Sequence, residues 1–258
     1  MSKHKTYVQI ILSILLCSFS LVSSCKKSPE DNSTGQPEQS NPEQTTTEKQ
    51  KNNTAQSQMI PLETKLPKPM FVGTPTNIQG VSNIEEPRPK GTPRPTFYVP
   101  EGTTNVALGK SVTASDEYPI IGSLDLITDG DKEAMEGSYV ELAPFKQHIT
   151  IDLGQQCEIY AVIVWHYHKQ ARVYFDVIVQ LANDPDFLMD VKTIFNNDTD
   201  NSSQTGVGQQ KHYIETSEGK LIDGKGHRAR YVRLYSNGSN ANELNHYIEV
   251  EVFGKPVK

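Results

Sequence analysis

Asp129-Gly130-Asp131 sets two carboxylates on either side of a glycine. The glycine lets the chain double back tightly, so both side chains and nearby carbonyls can converge on one hard cation. Calcium suits such a turn, since it takes six to eight oxygens at about 2.3–2.6 Å. The same residues equally suit a β-turn whose aspartates accept hydrogen bonds from their own backbone. A second acidic run, Asn196-Asn-Asp-Thr-Asp-Asn-Ser-Ser203, has the look of a calcium loop. Counted from Asp198, it lacks glycine at the sixth position and glutamate at the twelfth, so it reads as a long solvated loop.

His166 and His168 alternate along one strand, beside Trp165 and Tyr167 and just before Arg172. Three readings fit them. Imidazoles and a guanidinium next to aromatic rings can recognise sugar hydroxyls or an anion, the donors orienting and the rings stacking. A His-x-His pair can instead supply two zinc ligands, although no third ligand is identifiable. Or both rings cap the sheet edge and hydrogen-bond to neighbouring backbone.

The chain contains no G-x-S-x-G, P-loop, H-E-x-x-H or Cys–His signature, so a binding protein rather than an enzyme is expected. Cys157 is the only cysteine outside the N-terminal segment, which excludes a disulfide framework within the body. It reads as a buried inert thiol. The formal net charge of −6 argues against nucleic-acid binding driven by phosphate contacts.

The elements that must position these residues begin far from the N-terminus. Lys3 and Lys5 precede an apolar run, Val8–Val22, that is short for a membrane span. Leu21-Val-Ser-Ser-Cys25 closes the run like the lipobox of a bacterial lipoprotein. Residues 1–24 are therefore a signal peptide, and Cys25 is the lipidation site. Residues 25–58 are polar and should be a disordered tether. Residues 59–102 are proline-rich, with apolar knots at Met70-Phe-Val72 and Phe97-Tyr-Val99. PxxP patterns there can serve a proline-binding groove, but an extended strap that docks on the adjacent domain is the preferred reading. As a flexible coil, the roughly 75 residues after Cys25 would reach on the order of 50 Å.

Residues 103–258 form the folded domain, organised around Glu158–Pro185. Ile159–Trp165 is apolar at odd and even positions alike, which describes a strand covered on both faces. Val173–Ala182 alternates, with Asp176 and Gln180 on its wetter face. Further strands are expected at Ser111–Ser115, His148–Leu153, Val191–Phe195, His212–Thr216, Ala229–Ser236 and Tyr247–Phe253, separated by turns rich in Gly, Asn and Asp. Many short strands without a helical period mean an all-β sandwich or barrel.

Five segments, in order, carry a family resemblance: Asn105–Ser115, Ile127–Asp131, Ile149–Gly154, Arg230–Leu234 and Ile248–Gly254. Together they resemble a discoidin domain (coagulation-factor type C, galactose-binding-like). The resemblance implies an eight-stranded jelly-roll sandwich that binds ligands through loops at one rim. In calcium-binding members, the matching turn and the first glutamate of the last strand hold a structural ion, which implies Ca²⁺ at Asp129, Asp131 and Glu249. The expected whole is a lipoprotein of the bacterial cell envelope, anchored by its lipid and facing periplasm or exterior. It would present the module to carbohydrate or another extracytoplasmic ligand; the alternative is an assembly lipoprotein whose sandwich docks a partner protein. Ligand identity and oligomeric state are not legible in the sequence.

Overall fold

The computed structural model describes residues 58–71, 78–89 and 92–257. The expected signal peptide, the expected lipidation site Cys25 and the expected tether through residue 57 lie outside the described residues.

The described chain is all-β apart from a 3-10 turn at Leu124–Thr128. Its strands are β1 (Met59–Pro61), β2 (Tyr98–Pro100), β3 (Thr104–Asn105), β4 (Ser111–Ala114), β5 (Val140–Leu142), β6 (Lys146–Trp165), β7 (Ile178–Ala182), β8 (Lys192–Asn196), β9 (Lys220–Asn237), β10 (Asn245–Tyr247) and β11 (Glu249–Pro256). The main sheet runs β3-β11-β6-β9-β7-β8, with β4 also on β6; β5 pairs β10, and β1 pairs β2.

Two long antiparallel strands, β6 and β9, make the jelly-roll sandwich. Their pairing breaks between Asp152 and Cys157, where Gly154 has a positive φ of 80° and its N–H donates to Asp152 Oδ1 at 2.8 Å. Before the break β6 carries β4; after it, β6 carries β11. Each long strand thus serves both layers, as bends and bulges allow. The two segments expected at 148–153 and 158–167 are therefore one continuous strand. Ile149, Ile151, Val162 and Val164 of β6 pack with Val179, Val232, Leu234, Val250 and Val252 in one buried core.

The alternate residues of β6 face the other way. Ala161, Ile163 and Trp165 pack with Ala134, Ile248 and Phe253, and Leu62, Met70 and Phe97 of the proline-rich segment lie against them. A strand apolar on both faces needs a second cover, and this segment is what covers it. Leu62 N–H donates to Phe97 O at 2.7 Å, continuing the β1–β2 pairing, while Tyr98 is 55% exposed.

One expected strand, Val173–Ala182, is strand only in its second half, and another, His212–Thr216, is not a strand. In Val173–Val177, Asp176 adopts a left-handed φ of 49°, so the chain turns before β7 begins at Ile178. His212–Thr216 has no sheet neighbour. His212 makes a single parallel bridge to Ile84, and Glu215 N–H donates to Arg172 O at 2.8 Å.

Candidate functional site

His166 and His168 follow the end of β6 and are both fully enclosed. His166 Nδ1 lies 2.6 Å from Glu215 Oε1, and neither side chain reaches solvent. The imidazole stacks on Tyr174 at 4.5 Å and tilts against Tyr247 at 4.8 Å. His168 Nε2 donates to Lys132 O at 3.0 Å. In this position the histidines support the backbone and a buried carboxylate, and neither presents a face to the surface. His166 Nε2, His168 Nδ1 and Glu215 Oε2 have no protein partner.

Arg172 is placed differently. It is half-buried, and its guanidinium sits 4.6 Å over the Tyr167 ring. Its Nε and Nη1 have no protein acceptor. Tyr167 meets Tyr139 edge-on at 5.2 Å, and both lie about 6 Å from His246. His246 Nε2 is 2.9 Å from Glu141 Oε2, and its Nδ1 is free of partners. Burial pushes the Glu141 carboxyl above its usual range, with Arg172 partly opposing the shift. Burial, helped by Arg172 and His166, drops the His246 imidazole to about 4. His246 and a guanidinium with two enclosed, unpaired nitrogens thus stand beside a carboxylate and two phenol rings.

Asp129 and Asp131 are exposed, whereas Glu249 is sealed on β11. Gly130 N–H donates to Glu249 Oε2 at 3.1 Å, and Glu249 Oε1 has no partner. The aspartates serve their own turn: Asp131 N–H donates to Asp129 Oδ1, and Asp131 accepts from Glu133 N–H and Ser138 Oγ. The three carboxylates implied as calcium ligands are not a set whose oxygens all lie within 4.8 Å of one another. The positive charge beside this turn is Lys132, whose ammonium pairs with Glu251 Oε1 at 2.6 Å and sits 5.5 Å over the Trp165 ring. Burial raises the Glu249 carboxyl to about 9.

Among the described residues, the trio of carboxylates that does converge is Asp176, Asp198 and Asp200, with ligand oxygens within 4.8 Å of one another. The segment Asn196–Ser203, expected as a solvated loop, is exposed only at Thr199–Ser202. Asn196, Asn197, Asp198 and Ser203 are buried there. Asn197 holds the segment to the start of β7: Val177 N–H donates to Asn197 Oδ1 at 2.7 Å, and Asn197 N–H to Val177 O at 3.1 Å. Asp176 arrives from 22 positions before Asp198, a juxtaposition that local spacing does not contain.

No family model and no curated protein matches the chain. Among solved structures, the chain is similar to the CBM32 of AlyQ in complex with 4,5-unsaturated mannuronic acid. That match has 20% identity and a TM-score of 0.41, over 55% of this chain and 93% of that one. A fucose binding module of Streptococcus pneumoniae is similar at 18% identity and TM-score 0.41, over 58% of this chain and 96% of that one. A family 89 glycoside hydrolase from Clostridium perfringens is similar at 19% identity and TM-score 0.43, over 59% of this chain. The chain spans 15% of that hydrolase's length.

Proposed function

We propose that the sandwich is a carbohydrate-binding module, held at a bacterial membrane by a lipid on Cys25 and directed to periplasm or exterior. The observation that carries the sugar reading is Arg172. The side chain is half-buried, and two of its guanidinium nitrogens are enclosed without an acceptor, next to the Tyr167 and Tyr139 rings, the Glu141 carboxylate and His246. A pyranose offers what this set lacks: adjacent hydroxyls that accept from a planar fork and donate to a carboxylate, and a C–H face for a ring. His166 and His168 act from beneath, holding Glu215 and the Lys132 carbonyl so that the surface above keeps its shape. The lipobox at Leu21–Cys25 supports the anchor, and the polar residues 25–58 supply its reach.

The test uses the mature chain with Cys25→Ser, which leaves it soluble. It should bind a subset of glycans on an array, and Arg172→Ala should weaken that binding at least tenfold with the far-ultraviolet spectrum unchanged. Equal binding by both proteins would remove the Arg172 surface from the reading. In cells, Cys25→Ser should move the protein from the membrane to the soluble fraction.

A further inference from the structure

The loop after β8 carries chemistry that the sugar surface does not use. Asp176, Asp198 and Asp200 bring one oxygen each within 4.8 Å of the others. Two oxygens bound to one calcium ion at about 2.3–2.6 Å can be at most roughly 5 Å apart, so this spacing admits a shared ion. Asp176 and Asp198 are buried, and none of the three carboxylates forms an ion pair with a described side chain. The Lys146 ammonium goes to the Ser203 carbonyl instead. Like charges gathered without a counter-charge repel one another, and a shared cation would relieve that repulsion.

A second observation points to a ligand. A cavity of about 330 Å³ lies beside the trio, lined by Asp176, Asp200, Asn197, His212, Ser202 and Asn237 among others. Asn197 is fully buried, and the Val177 N–H fixes its Oδ1, so Nδ2 is its free end; that nitrogen has no acceptor. His212 Nδ1 on the same wall also has no partner. One buried donor and one acceptor beside three carboxylates match the water shell of a hydrated ion. Bound water donates strongly to an imidazole nitrogen and still accepts from an amide.

We propose that Asp176, Asp198 and Asp200 form a site for a divalent cation of the calcium class, with the adjoining cavity holding the ion's water shell. Ser202 organises it: its Oγ donates to Asp176 Oδ2 at 2.8 Å, and its N–H donates to Asp198 Oδ1 and Asp200 Oδ1. Asn237 Nδ2 adds a second donor to Asp176 Oδ2 at 2.8 Å, tying the end of β9 to the site. The ion would clamp the β7 entry, the β8 exit and the end of β9 together, independently of what Arg172 binds.

The test titrates CaCl₂ into the Cys25→Ser chain by calorimetry after treatment with chelator, and into Asp200→Asn and Asp129→Ala variants. Asp200 is exposed, so its amide replacement should fold, which circular dichroism checks. The expected result is one site in the parent chain, weakened at least tenfold by Asp200→Asn. At a hundredfold excess over Kd, calcium should also raise Tm by about 5–10 °C relative to chelator. Absence of heat together with coincident melting curves overturns the proposal. So does a loss of binding in Asp129→Ala that spares Asp200→Asn, which would place the ion at the Asp129–Asp131 turn.

Discussion

Glu249 accepts the Gly130 N–H on one carboxyl oxygen and meets nothing with the other, while burial raises its pKa from 4.5 to about 9. A carboxyl raised that far keeps its proton at neutral pH, and the Asp129 charge beside it adds to the shift. Between these two values the folded state holds one proton more than the unfolded chain, so stability falls as pH rises, by up to ~1.4 kcal/mol per unit. Glu249→Gln keeps the shape without the titration. Its urea midpoint should vary less between pH 6.5 and 9 than that of the parent; an unchanged slope would mean that Glu249 is ionised. The turn itself was legible in the sequence, because aspartate–glycine–aspartate specifies a tight turn wherever it occurs. Which carboxylates meet was not, because Asp176 reaches Asp198 through a left-handed residue and an asparagine side chain rather than through spacing. The same limit applied to His166 and His168: alternation placed them together but did not reveal that Glu215 and Lys132 O lay over them.

At the scale of elements, the second face of β6 decides how much of the proline-rich segment belongs to the domain. Ile159–Trp165 announced two covered faces through its unbroken β-branched run, and only the identity of the cover was missing. Leu62, Met70 and Phe97 provide it, and the segment is also held by Arg88–Glu218 and Lys220–Glu85 ion pairs. Partial burial of three such side chains contributes on the order of 3–5 kcal/mol. A chain beginning at Thr103 should lose about that much in urea unfolding. Trp165 is the only tryptophan, so its emission should shift to the red as its cover is removed. An unshifted emission maximum would mean that the face stays covered without the segment. On the same face, a Cβ added at Gly219 would lie 2.6 Å from the Trp165 ring, at a φ of +65° that side chains rarely adopt. Overpacking and backbone strain together set the cost of Gly219→Ala at about 2–4 kcal/mol. A loss below ~1 kcal/mol would show that the indole can shift.

For the molecule as a whole, the buried titratable groups oppose one another across pH, and their balance sets where the fold is most stable. His148 and His246 are both lowered from 6.5 to about 4, burial being the largest cause in each, so neither accepts a proton readily in the folded state. Between pH 4 and 6.5 the unfolded chain therefore binds more protons at these two sites, and stability falls as pH is lowered. Glu249 acts in the opposite sense from 4.5 to about 9. From pH 4.5 to 6.5 three lowered histidines, His148, His246 and His212, outnumber two raised carboxyls, Glu249 and Glu141, and the net change favours the higher pH. Above 6.5 the histidines are neutral in both states and only the Glu249 loss continues. Near pH 10 and above, Tyr160, raised to about 12 mainly by burial, extends the decline, because its phenol ionises more readily in the unfolded chain. Stability without added divalent cation should therefore peak near pH 6.5. His148 keeps some solvent contact, so His246 carries more of the acid limb. His246→Gln should flatten the acid limb and leave the alkaline one unchanged, since the His246 contribution is confined to the range between about 4 and 6.5. Urea midpoints measured from pH 4 to 10 check both limbs. A maximum above pH 8 would place Glu249 in its charged form, and an acid limb unaffected by His246→Gln would assign the proton uptake elsewhere.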